Sequence, residues 1–302
     1  MEACLAAAKT PPPHPELPDV PPIVSAHFTT PEGLRLATDI AGDPWRPRVI
    51  FVHGGGQSRR SWRSALQRMA AAGFSVVSLD LRGHGESDWA EDGDYSLEAH
   101  TRDLTAIVRA MPSRPSIVGA SLGGRVALQT AAALGAESIR SLVLVDSTPR
   151  MNAAGLERVS NFLRASMVGF DSIEEATRTL ETYAEREIGH NYFRLSHSIR
   201  TGADGRIYWR WDPKAALDRY LSPDAIEERL SAAAASLTMP TLLVRGTLSD
   251  LVTDDCVADF RHTLPTTEVF DIVGGGHLMK TQRLEVFCDA TIDFLKRHEE
   301  AA

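Results

Sequence analysis

The segment Ser116–Gly124, SIVGASLGG, constrains this chain more than any other stretch. A short β-branched run, Ile117-Val118, meets Gly119-Ala120-Ser121-Leu122-Gly123, and a helix-forming tract, RVALQTAAAL, follows at once. A strand that becomes a helix within so few residues must turn sharply, and flanking glycines permit backbone that other residues resist. Such an elbow lifts the Ser121 hydroxyl clear of the sheet. The helix behind it aims its positive end at the same point, which suits an anion formed during reaction. In this strand–turn–helix setting G-x-S-x-G reads as a nucleophilic serine, whereas the bare pattern is a common turn.

The surrounding pattern fixes the fold class. Strands are expected at Val49–Val52, Ser75–Leu79, Ser116–Val118 and Ser141–Val145, alternating with helices at Trp62–Ala72, Leu97–Ala110 and Gly124–Leu134. Near-continuous β-branched runs between helices predict an α/β architecture, a mostly parallel twisted sheet covered on both faces. From Ser147 to Ala235 the rhythm breaks into helical, charged and aromatic segments, and strands return at Thr241–Arg245 and Thr267–Ile272. The predicted organisation is a proline-rich, poorly ordered arm over residues 1–22 and a core formed by 23–146 and 236–302. A helical lid over 147–235 would cover the C-terminal edge of the sheet, where open α/β sheets bind ligands.

Composition excludes several classes. Of 302 residues 43% are hydrophobic and 24% charged, as in a soluble globular enzyme, and a net charge of -8 disfavours nucleic acid or an anionic membrane as partner. No apolar run approaches a membrane span, and MEACLAAAKT lacks the features of a secretory signal. Cys4, Cys256 and Cys288 are odd in number and widely spaced, which reads as free thiols in a reducing, cytoplasmic setting, with no metal site.

A serine hydroxyl needs a base, and the base needs an orienting acid. His277 stands late, after a strand and on the loop Gly274-Gly275-Gly276-His277, which can carry an imidazole over the elbow. Asp250 follows TLLVRG on a loop at a strand's C-terminal end and is the expected acid; Asp146, ending LVLVD on the neighbouring strand, is its rival. Phe51-Val52-His53-Gly54-Gly55-Gly56 is a glycine loop after a strand, suited to presenting amides to an oxyanion. Gly55 or Gly56 is expected to act there with Leu122, while His53 braces the loop. In Asp80-Leu81-Arg82-Gly83-His84-Gly85-Glu86-Ser87, Arg82 and His84 are expected to hold a tight turn together.

Taken in order, FVHGGG, LDLRGHGES, VGASLGG, LLVRGTLSD and GGGHLMK resemble the α/β-hydrolase superfamily over roughly residues 25–150 and 236–298. Within it the chain looks similar to lidded bacterial serine esterases and the cofactor-free haloperoxidase-like branch. The resemblance implies a Ser–His–Asp triad, an acyl-enzyme, no cofactor and a small-molecule ester as substrate. Ser121 at the elbow disfavours the aspartate-using epoxide hydrolases and dehalogenases, and the cysteine-using dienelactone hydrolases. The same triad would serve a C–C hydrolase, a lactonase or a perhydrolase, and the fold alone would also serve a non-catalytic binding module. GASLGG is not the dinucleotide fingerprint G-x-G-x-x-G.

The lid is rich in aromatic and large apolar side chains, most of which should pack its own core. Phe162, Met167, Tyr208, Trp209 and Trp211 are the candidates for an apolar substrate pocket, with Trp209 and Trp211 on one face if the segment is extended. Arg59, Arg60, Arg194, Arg200, Arg206 and Arg210 crowd the lid and mouth, and one of them turned inward would grip the carboxylate of a half-ester. Exposed apolar lid helices leave a homodimer open.

Overall fold

The computed structural model describes residues 22–184, 197–216, 223–277 and 283–299. The predicted arm therefore lies outside the described residues save for Pro22, as do Cys4 and Arg194.

Strands β1 (Val24–Thr29), β2 (Arg35–Ala41), β3 (Arg48–Val52), β4 (Ser75–Leu79), β5 (Ser116–Ala120), β6 (Leu142–Val145), β9 (Thr241–Gly246) and β10 (Glu268–Ile272) form one sheet. Their order is β1-β2-β4-β3-β5-β6-β9-β10. From β4 to β10 every pairing is parallel, while β1 and β2 enter antiparallel at one edge. The predicted α/β class holds; the antiparallel start was not distinguished by the sequence pattern.

Helices cover both faces, which is why the central strands are apolar throughout. On one face Ile50 and Val52 of β3 join Leu104, Ile107 and Val108 of α2 (Leu97–Ala110) and Val126, Leu128 and Ala131 of α3 (Leu122–Leu134). On the other, Val49 and Phe51 join Leu66 and Met69 of α1 (Arg63–Ala71) and Phe287 and Phe294 of the C-terminal α8 (Leu284–Glu299). Period-two alternation along β3 thus feeds two separate cores.

Between β6 and β9 lie α4 (Ala153–Ala165), α5 (Ile173–Ala184), a hairpin of β7 (Ile199–Thr201) and β8 (Ile207–Trp209), and α6 (Pro223–Ala235). The hairpin departs from the all-helical expectation; three-residue strands are too short to show alternation in sequence. Phe170, Ala176, Ile199, Trp209 and Trp211 make the small core of this insertion. Ile226, Leu230 and Ala234 of α6 instead belong to the main core cluster on the α3 side. After β9, α7 (Asp254–Thr263) places Cys256 and Phe260 in that same cluster. Among the described residues no helix is long and apolar enough to cross a membrane.

Candidate active site

Ser121 sits between β5 and α3 with φ 49° and ψ −117°, a strained backbone for a residue with a side chain. The strain is held by close packing that only glycine allows. A Cβ on Gly119 would lie 2.3 Å from the Gly123 carbonyl oxygen, and one on Gly123 would lie 2.5 Å from the carbonyl oxygens of Val52 and His53. These two glycines let α3 start directly against β5 and the end of β3. The Ser121 amide donates to Val145 O at 3.1 Å, and its carbonyl accepts from Gly124 N, Arg125 N and Ser147 Oγ. Among the described residues the Ser121 hydroxyl has no hydrogen-bond partner.

His277 lies on the loop after β10, as expected, but its acid partner is Asp146. The imidazole Nδ1 donates to Asp146 Oδ2 at 2.5 Å, and the same oxygen accepts from Ser249 Oγ at 2.6 Å. Asp146 is fully buried at the end of β6, also with positive φ (48°). With Nδ1 committed, Nε2 is the nitrogen free for chemistry.

Asp250, the expected acid, is paired elsewhere. Its Oδ2 lies 2.8 Å from Arg158 Nε of α4, and both side chains are 36% exposed. The Asp250 carbonyl packs under α4, where a Cβ on Gly155 would come within 2.4 Å of it. Four residues beyond β9, the loop has already turned toward the insertion, so Ser249 reaches the centre and Asp250 does not. Ser249 was not singled out in the sequence; a serine in a loop carries no signal of a contact this distant.

The glycine loop lies against the elbow. A Cβ on Gly54 would approach Ser121 Cβ at 3.3 Å, and one on Gly55 would approach Leu122 Cβ at 3.9 Å. Among the described residues neither the Gly55 nor the Leu122 amide has an acceptor. Gly56 is different: its amide donates to His84 Nε2 at 3.2 Å, which removes it as an oxyanion donor. His53 accepts from Leu81 N at 3.0 Å through Nε2, so its protonated Nδ1 donates to the Gly54 carbonyl at 2.8 Å.

Of the pocket candidates, Phe162 and Met167 pack against the buried cluster that holds Trp209 and Trp211, so the two tryptophans share a face. Trp211 also reaches the glycine loop: its Nε1 would lie 3.8 Å from a Cβ on Gly56, and Leu163 Cδ2 3.0 Å. Phe162 stacks on Tyr183 with centroids 4.4 Å apart. Desolvation pushes the Tyr183 hydroxyl up to about 12; the Arg158 charge opposes this, and those of Asp250 and Asp146 add to it. Tyr208 alternates with Trp209 along β8 and is half-buried: its hydroxyl donates to Asp204 at 2.7 Å, and Arg200 lies over its ring.

Among the described arginines at the mouth, Arg200, Arg206 and Arg210 each keep a buried Nε without a hydrogen-bond partner, while other contacts hold the side chains in place. Arg59 pairs with Asp39, Asp80 and Glu86, Arg60 with Glu86, and Arg206 with Asp171. Arg210 donates to Ile199 O, and Arg200 also lies over Trp89. Among the described residues no group of three or more His, Cys, Asp or Glu side chains could hold a metal ion.

Residues 47–282 match the family described as alpha/beta hydrolase fold. The chain is 31% identical over 225 residues to esterase Rv0045c of Mycobacterium tuberculosis, covering 70% of each. It is 30% identical over 246 residues to a 3-hydroxybutyrate-oligomer hydrolase of Cupriavidus necator, covering 76% of this chain and 83% of the relative. Among solved structures, E-2-(acetamidomethylene)succinate hydrolase superposes with a TM-score of 0.80 at 23% identity, over 91% of this chain and 99% of the other, a likeness of fold.

Proposed function

Since this chain belongs to the alpha/beta hydrolase family, we propose that it hydrolyses carboxylic esters through Ser121, His277 and Asp146. Relatives that are an esterase and a hydroxybutyrate-oligomer hydrolase support the ester reading. The observation that carries the mechanism is the buried Asp146–His277 hydrogen bond at 2.5 Å, in a fold that sets the serine on a strained elbow.

Ser121 Oγ attacks the ester carbonyl while His277 Nε2 takes its proton, and Asp146 stabilises the imidazolium without accepting that proton itself. Gly55 N–H and Leu122 N–H, both without an acceptor among the described residues, receive the oxyanion of the tetrahedral intermediate. Collapse expels the alcohol with the proton returned from His277, leaving an acyl-enzyme. Water activated by the same nitrogen then releases the acid. The cycle needs no cofactor.

The insertion acts as a lid. Leu163 and Trp211 approach Gly56 of the glycine loop and offer an apolar surface for the acyl or alcohol part of a small to medium ester.

The test is hydrolysis of p-nitrophenyl esters of increasing chain length by wild type and Ser121→Ala. Turnover by wild type with a clear length optimum, lost in the variant, is expected. Substantial turnover by a folded Ser121→Ala protein would sink the assignment.

A further inference from the structure

The geometry points to His84, on the turn after β4, as the residue that positions the oxyanion-binding loop by holding the Gly56 amide; this rests on the hydrolase reading above. Gly55 is flanked by two peptide groups, and each is fixed from outside. The Gly54 carbonyl accepts from His53 Nδ1 at 2.8 Å and from Gln57 N at 3.1 Å. In a trans peptide the carbonyl and the following N–H point opposite ways, so fixing Gly54 O aims the Gly55 N–H. The next peptide is held through Gly56 N–H, which His84 Nε2 accepts at 3.2 Å. Without that acceptor the Gly55–Gly56 peptide has glycine freedom on both sides.

His84 is built for this one task. An amide N–H can only donate, so Nε2 is the unprotonated nitrogen and Nδ1–H donates to Arg82 O at 3.0 Å. The ring is 3% exposed and lies 5.1 Å from the His53 ring, centroid to centroid. Its backbone is strapped by the insertion just past β8: Gly85 N donates to Arg210 O and Asp212 N to Gly83 O, each at 2.7 Å, with His84 bridged to Trp211. Asp212 is anchored in turn by the Tyr95 hydroxyl at 2.5 Å. The insertion therefore reaches the oxyanion loop through His84, and not only by roofing the pocket.

The test compares His84→Leu, His84→Asn and His84→Gln with wild type and Ser121→Ala. The readouts are kcat and KM for a p-nitrophenyl ester and the inhibition constant of a trifluoromethyl ketone, whose adduct carries the oxyanion. Losing an oxyanion donor outright costs ~10²–10³ in turnover, so misaiming one should cost roughly 10- to 100-fold. His84→Leu is expected to lose that much in kcat and in ketone affinity together, with KM nearly unchanged. His84→Gln carries an oxygen to the Nε2 position and should recover most of both; His84→Asn stops short and should not. This ordering decides the matter even if His84→Leu does not fold. Equal losses in the glutamine and asparagine variants, or lost turnover with ketone affinity intact, would overturn the role. Activity surviving in Ser121→Ala would instead defeat the hydrolase reading, whatever the His84 variants do.

Discussion

Asp146 Oδ2 accepts a hydrogen bond from His277 Nδ1 at 2.5 Å across 131 residues of sequence, while Asp250, on the adjoining strand's loop, faces Arg158. The sheet order explains the choice. β6, which ends at Asp146, lies beside β5 and its serine, with β9 and β10 following outward. The imidazole on the loop after β10 meets the aspartate that follows β6, the strand beside β5.

Asp146→Asn should therefore lower kcat by about 10⁴-fold, since an amide favours the wrong imidazole tautomer while keeping the shape. Asp250→Asn removes only a partly exposed ion pair worth ~0–1 kcal/mol, so its effect should stay within roughly fivefold. Steady-state kinetics of the two variants on one ester settles the assignment; the reverse ranking would restore Asp250.

Ser249 donates at 2.6 Å to the same oxygen that holds His277, and Asp146 Oδ1 is buried without a hydrogen-bond partner among the described residues. Ser249→Ala thus takes away one of two bonds to a buried carboxylate, a loss of ~1–3 kcal/mol. The expectation is a fall in kcat of about 10-fold or more with little change in KM, measured at saturating ester. A KM-only effect would mean the hydroxyl serves substrate binding instead.

The elbow and the histidine were legible because each is announced by its own neighbours, a strand–glycine–helix junction and a glycine loop after the last strand. The aspartate that bonds His277 was not, because Asp146 and Asp250 both follow strands and only the direction of the loop beyond β9 separates them. Gly56 looked equal to Gly55 for a related reason: its amide is claimed by His84, 28 residues away, and sequence spacing carries no trace of that bond. The turn assigned to Arg82 and His84 does form, with Arg82 paired to the buried Asp103. The half-buried place of Tyr208 followed from the same alternation that buries Trp209, once the segment proved to be a strand.

Packing at the elbow predicts a stability contrast. Gly119→Ala would force a methyl to within 2.3 Å of the Gly123 carbonyl oxygen, whereas a Cβ on Gly276 meets nothing within 4 Å. The first should cost about 1–3 kcal/mol or more, and the second should stay within roughly 0.5 kcal/mol. Urea unfolding midpoints at constant m-value provide the comparison. Equal midpoints would show that α3 can retreat from β5 without loss.

Buried imidazoles predict how stability varies with pH. Burial pushes His100 of α2 from 6.5 down to about 3, with repulsion from His84, once that ring is protonated, and from Arg82 adding to it; burial likewise lowers His84. Their folded values lie below the unfolded one, so in the acid range the unfolded chain binds protons that the folded chain refuses. The stabilisation is complete above the unfolded value of 6.5 and is lost as pH falls toward the folded values. Each histidine contributes a slope of up to ~1.4 kcal/mol per pH unit within that window. Replacing His100 by Phe should remove one proton from the linkage and flatten the acid limb by that amount. Asp80 and Asp103, which burial raises, titrate in the opposite sense but are common to both chains, so the difference isolates His100. Unfolding free energies from urea titrations between about pH 7 and pH 4.5 measure it. Parallel curves for wild type and His100→Phe would mean that His100 is protonated in the folded protein as readily as in the unfolded chain.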